Sequence, residues 1–123
     1  MFDHVKFGVR DYAASREFFT KALEPLGIAK VVDWPPNGVE IVARSGASLC
    51  LYQTTEQPAH LHLAFAASSR HEVEGFYNAA LQAGGRDNGP PGLRPQYSGN
   101  YYAAFVIGPD GHNLEAVCHE PEA

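Results

Sequence analysis

Residues Leu61–Gly85 read LHLAFAASSRHEVEGFYNAALQAGG, and Asp3–Gly27 read DHVKFGVRDYAASREFFTKALEPLG. Laid over one another without a gap, 58 positions apart, the segments match where packing or punctuation matters. His4 meets His62, Phe7 meets Phe65, Phe18 meets Phe76, Ala22 meets Ala80, Leu23 meets Leu81 and Gly27 meets Gly85, while Phe19 meets the aromatic Tyr77. A repeat of this length decides the architecture before any single motif does. The chain divides into module 1, about residues 1–55, and module 2, about 60–120, within a single domain spanning 1–123.

Each copy reads as a strand followed by a helix. The first strands alternate with period two, so Val5, Phe7 and Val9 share one face and His4, Lys6 and Gly8 the other. In the second copy Leu61, Leu63 and Phe65 oppose His60, His62, Ala64 and Ala66. A helix over about 12–26 follows Asp11 as N-cap, with Phe18, Phe19, Ala22, Leu23 and Leu26 on one face. The second helix opens on the capping-box pattern Ser69–Glu72, with His71 solvated in its first turn, and stops at Gly84–Gly85.

β structure follows each helix. Residues 39–43 and 48–53 form a hairpin; 101–107 and 113–119 form another around Pro109–His112, a turn that leaves His112 at the surface. His119, near the end of the chain, is expected to be exposed. Short strands near 29–33 and 85–87 complete each module as βαβββ, which makes the fold α+β. The Gly- and Pro-rich segment 88–100 reads as a loop, and 54–59 as the linker between modules.

The repeat separates the two histidines of the second copy's first strand. His62 is the counterpart of His4, whereas His60 is the counterpart of Phe2 and falls to the rim. Modules related by a pseudo-twofold axis can bring His4 and His62 together. A metal needs a further ligand, and the last strand supplies Glu115, a carboxylate in the otherwise apolar run Leu114–Cys118. The corresponding place in module 1 is held by Cys50. Two histidines and one carboxylate match a facial triad with open positions. Arg94, Tyr97, Tyr101 and Tyr102 border the long loop, where an arginine could hold an anionic group and a tyrosine hydroxyl orient it.

These anchors, DHVKFGV, HLAFAA and YYAAFVIGPDGHNLEAVC with the internal repeat, make the chain resemble the vicinal oxygen chelate superfamily. That superfamily includes glyoxalase I, bleomycin and fosfomycin resistance proteins and extradiol dioxygenases. The resemblance implies two βαβββ modules forming a curved mixed sheet around a central cavity. It implies a divalent metal (Zn, Mn, Fe or Ni) on His4, His62 and Glu115, with Glu115 as the catalytic carboxylate. Cys50, His60, Arg94, Tyr97, Tyr101 and Tyr102 are the candidate substrate contacts. Glyoxalase I enzymes of this pattern carry an acidic ligand where this chain has Cys50. A thiolate could complete a zinc site, but soft sulfur suits oxygen-chelating metals less well, and Cys50 reads better as a small packing residue.

The expected function is a metal-dependent lyase, transferase or dioxygenase acting on a small oxygen-chelating molecule. The alternative is a non-catalytic binding protein that sequesters a small molecule. Net charge is −5 with no cluster of Lys or Arg, which argues against nucleic acid as a partner. The start MFDHVKFGVR has no basic-then-apolar leader, no apolar run is long enough to cross a membrane, and the two cysteines lie far apart. A cytoplasmic homodimer is the corresponding expectation.

Overall fold

The computed structural model describes residues 1–57 and 59–122. Pro58, within the expected linker, and Ala123 lie outside the described residues. The elements are β1 (His4–Val9), α1 (Tyr12–Leu23), β2 (Ile28–Trp34), β3 (Gly38–Ala43), β4 (Ser48–Gln53), β5 (His62–Ala66), α2 (Arg70–Gln82), β6 (Arg86–Leu93), β7 (Tyr102–Ile107) and β8 (Asn113–Cys118). They form two four-stranded mixed sheets of order β1-β4-β3-β2 and β5-β8-β7-β6, the βαβββ modules read from the repeat. In each, the first strand runs parallel to the last and the other pairs are antiparallel.

Both helices start where a side chain can satisfy an orphaned N–H. Asp11 Oδ1 accepts from Ala14 N at 3.1 Å, and Ser69 Oγ accepts from Glu72 N at 3.1 Å. Glu72 reaches back to Ser68, one residue beyond the usual capping-box target, accepting from its backbone N at 2.9 Å and its hydroxyl at 2.7 Å. Helix α1 gives way to a 3-10 turn at Glu24–Leu26 because Pro25 has no N–H to continue it. Gly27 (φ 93°) and Gly84 (φ 103°) then turn the chain through a region closed to most side chains.

The helices lay Phe18, Phe19, Ala22, Val73, Phe76 and Ala80 onto the sheets and against one another, so one core joins the modules. Burial of each phenylalanine is worth roughly 1.5–3 kcal/mol. The helix-facing sheet positions are apolar: Val39, Ile41, Leu49 and Leu51 in module 1, and Ala104, Val106, Leu114 and Ala116 in module 2. The opposite face of each sheet therefore remains for chemistry. No helix among the described residues is long and apolar enough to cross a membrane.

Two expectations need correction. Residues 88–93 are not loop but the second half of β6, paired irregularly with β7. As an edge strand, β6 can carry Pro90 and Pro91 without breaking a ladder on both sides, and Gly89 (φ 146°) absorbs the bulge. His112 is not at the surface but wholly buried. Its Nδ1 accepts from Leu61 N at 3.0 Å, and its ring meets Phe7 edge-on at 5.3 Å, bridging the modules.

Burial lowers the pKa of His112 below the ordinary histidine value, Asp110 opposes the shift, and His60 adds to it. Between the folded and unfolded pKa values the unfolded chain binds more protons. This contribution is complete above the unfolded value, about pH 6.5, and is lost as pH falls below it. His112→Asn, which keeps an acceptor for Leu61 N–H, should lose less of its Tm than the wild type between about pH 7 and about pH 5. Equal losses in thermal melts would contradict this.

Candidate functional site

The register of module 2 places Ala64, Glu115 and Phe105 in one row across β5, β8 and β7, on the face away from the helices. Leu114 and Ala116, on either side of Glu115, face the core and are fully buried. Glu115 is buried, and burying its carboxylate without partners would be expensive. It has two partners: Oε1 lies 2.8 Å from His62 Nε2, and Oε2 accepts the Tyr101 hydroxyl. The His62 side chain is 56% exposed against 2% for Glu115, so the histidine forms the open side of the pair.

Aromatic rings wall this pair. Phe105 lies 6.2 Å from the His62 ring, Tyr97 lies 5.0 Å from Tyr101, and His119 meets Tyr101 edge-on at 5.2 Å. Burial, with the hydrogen bond to Glu115 adding to it, pushes the Tyr101 pKa up to about 12. Tyr101 therefore stays a proton donor at neutral pH. The Arg94 guanidinium lies 5.4 Å over the Phe105 ring and donates to the carbonyls of Gly92 at 2.8 Å and Pro90 at 2.7 Å. It is held by backbone rather than by a carboxylate.

The remaining candidates lie elsewhere. His4 and Cys50 are on the first sheet, where His4 Nδ1 lies 2.7 Å from Asp3 Oδ1. With the proton on Nδ1, that contact leaves the Nε2 lone pair available. His60 rests near the turn glycine Gly111. Tyr102 points the other way, its hydroxyl donating to Glu74 on α2 at 2.7 Å and its ring lying 4.9 Å from the Arg70 guanidinium. Phe105 and His119 are further neighbours of the pair; His119 is exposed, as expected, but its contact with Tyr101 is new. Phe105 was legible, since it alternates with the core-facing Ala104 and Val106.

Two donors about 2.1 Å from one cation and at right angles to each other stand about 3 Å apart. The 2.8 Å between His62 Nε2 and Glu115 Oε1 fits two adjacent coordination positions. Imidazole and carboxylate suit the borderline and hard divalent ions. Within one chain, no three His, Cys, Asp or Glu side chains among the described residues converge into an ion site. Among the described residues β1 and β5 exchange no ladder either; each pairs on one side, with β4 and β8 respectively. An apolar cavity of about 430 Å³ separates them, lined by Val5, Leu26, Ile41, Leu49, Leu63 and Phe65 among others.

No curated protein matches the chain significantly. Among solved structures, a glyoxalase/bleomycin resistance protein from Albidiferax ferrireducens T118 is 30% identical, with a TM-score of 0.83 over 96% of this chain and 98% of that one. A putative glyoxalase from Bacillus halodurans is 23% identical, with a TM-score of 0.74 over 96% of this chain and 95% of that one. A glyoxalase-related enzyme from Fulvimarina pelagi, 21% identical, has a TM-score of 0.71 over 94% of this chain and 85% of that one. The latter two likenesses concern the fold alone. The family model described as the Glyoxalase/Bleomycin resistance protein/Dioxygenase superfamily matches residues 1–116, and the chain belongs to that superfamily.

Proposed function

We propose that this protein is a metal-dependent enzyme acting on a small molecule with neighbouring oxygens, and that its working site forms between two copies of the chain. In this reading His62 and Glu115 of one chain hold a divalent cation together with His4 of the other. The observation that carries it is the buried Glu115 carboxylate facing His62 at 2.8 Å, a donor pair spaced for one ion. The one-sided β1 and β5 edges support the second copy, because an unpaired edge is a ready template for another strand.

When bound, the cation supplies Lewis acidity to substrate oxygens. The chain's own groups do the rest. His62 offers a cation its Nε2 lone pair, with the ring proton on Nδ1. Tyr101 keeps Glu115 Oε2 satisfied, so that Oε1 stays aimed at the open side. Phe105 and Tyr97 offer flat apolar surfaces beside the pair, and Arg94 adds a fixed positive charge. A second reading, sequestration without chemistry, is favoured by the apolar 430 Å³ cavity between β5 and module 1.

Metal analysis after purification without added metal separates the two readings. The enzyme reading expects divalent metal in the wild type and a loss of affinity of more than about 100-fold in His62→Ala and Glu115→Gln. A wild type that takes up no divalent ion leaves sequestration standing. Tyr101→Phe should weaken metal affinity by about 10- to 100-fold, since one oxygen of a buried ligand loses its donor. Unchanged affinity would exclude that supporting role.

Mixing tests the shared site. His4→Ala and Glu115→Gln chains, each unable to bind metal alone, should recover about a quarter of the sites on random re-pairing, because half the dimers carry one intact site. No recovery would place all the ligands within one chain.

A further inference from the structure

The row across module 1 that matches Ala64–Glu115–Phe105 is Lys6–Cys50–Glu40, on β1, β4 and β3. Both rows carry one carboxylate, but in module 1 it stands one strand further from the first strand. The small Cys50 beside it leaves room on the β4 side. The Glu40 carboxylate reaches diagonally across that space, and its Oε2 accepts from Ser48 Oγ at 2.8 Å. Ser48 is the direct strand partner of His4, so the carboxylate leans toward the row that holds the histidine.

The two carboxylates are supported alike. In module 2 the Tyr101 hydroxyl donates to Glu115 Oε2 and leaves Oε1 for the cation position. In module 1 the Ser48 hydroxyl donates to Glu40 Oε2. Among the described residues no other hydrogen bond and no lysine or arginine engages Glu40. The Lys6 ammonium lies instead 5.5 Å from the Tyr52 ring centroid. Glu40 is partly buried and lines a groove of about 620 Å³ that also holds His4, Lys6, Trp34, Cys50 and Tyr52. Metal-ligating carboxylates are oriented by hydrogen bonds to one oxygen, and Ser48 does this for Glu40 while its other oxygen has no partner among the described residues.

We propose that Glu40 supplies the acidic metal ligand that position 50 lacks, joining His4 of its own chain opposite His62 and Glu115 of the other. Cys50 then serves by being small. The inference rests on the shared metal site proposed above. It assigns the set two histidines and two carboxylates, with no thiolate, a donor set for harder divalent ions than sulfur would favour.

Cobalt(II) titration of the wild type, Glu40→Gln, Cys50→Ala, His62→Ala and the double variant Glu40→Gln/Cys50→Glu tests it, with Tm and dimer state measured on each apo-protein. Glu40→Gln should bind cobalt about 10- to 100-fold more weakly at unchanged Tm and dimer state. Cys50→Ala should bind like the wild type, no form should show a thiolate-to-cobalt charge-transfer band, and the double variant should regain affinity by returning the carboxylate to β4. If His62→Ala abolishes binding but Glu40→Gln binds like the wild type, Glu40 is no ligand and the shared site stands. A charge-transfer band lost in Cys50→Ala would give the position to the thiolate. Unchanged binding in His62→Ala would overturn the shared site and this inference with it.

Discussion

A carboxylate in the middle of β8 constrains the rest of module 2. Glu115 is 1% exposed, and an ionised carboxylate that deep needs compensation from every direction it can reach. Tyr101 supplies it from the end of the loop before β7, and His62 from β5. The loop is closed in turn by Arg94 N donating to Tyr101 O at 2.7 Å, while the Arg94 guanidinium ties itself to the backbone of β6. One buried carboxylate thus draws its partners from β5 and from the segment before β7, which Arg94 ties to β6. The groups that hold it are the ones that face outward, where a cation and a substrate could meet it.

Module 1 repeats the architecture and changes the chemistry. Its helix buries the same kinds of residue against the same face, and its first strand presents His4 where β5 presents His62. The outer row carries Lys6, Cys50 and Glu40 in place of Ala64, Glu115 and Phe105. Such a division suits a site assembled from unlike halves. The halves of one chain are joined through helices and through His112 against Phe7, which leaves the outer faces and first-strand edges of both sheets uncommitted.

Much of this was legible in the sequence because it depends on local patterns. The repeat marks the modules, the period-two alternation assigns the strand faces, and Asp11 and Ser69 mark the helix starts. β6 was hidden because its glycines and prolines carry no alternation, and only its place at a sheet edge makes them tolerable. His112 was hidden because its burial comes from Phe7 and Leu61, far away in sequence. Within the site, His62 stood out by its match to His4 and Glu115 as a carboxylate in an apolar strand. Their direct contact and the opposite orientations of Tyr101 and Tyr102 depend instead on strand register and on where β7 begins. Glu40 carries the same signal as Glu115, a carboxylate within an apolar strand, but its meaning depends on the β3–β4 register that brings it beside Cys50.

The most direct measurement is an anomalous difference map from crystals grown with manganese(II) or cobalt(II). The account predicts one peak at ligand distance, about 2.0–2.3 Å, from both His62 Nε2 and Glu115 Oε1, with His4 of a second chain completing the set. A map with no peak there and the His62–Glu115 hydrogen bond intact, or a peak whose His4 belongs to the same chain, would contradict it.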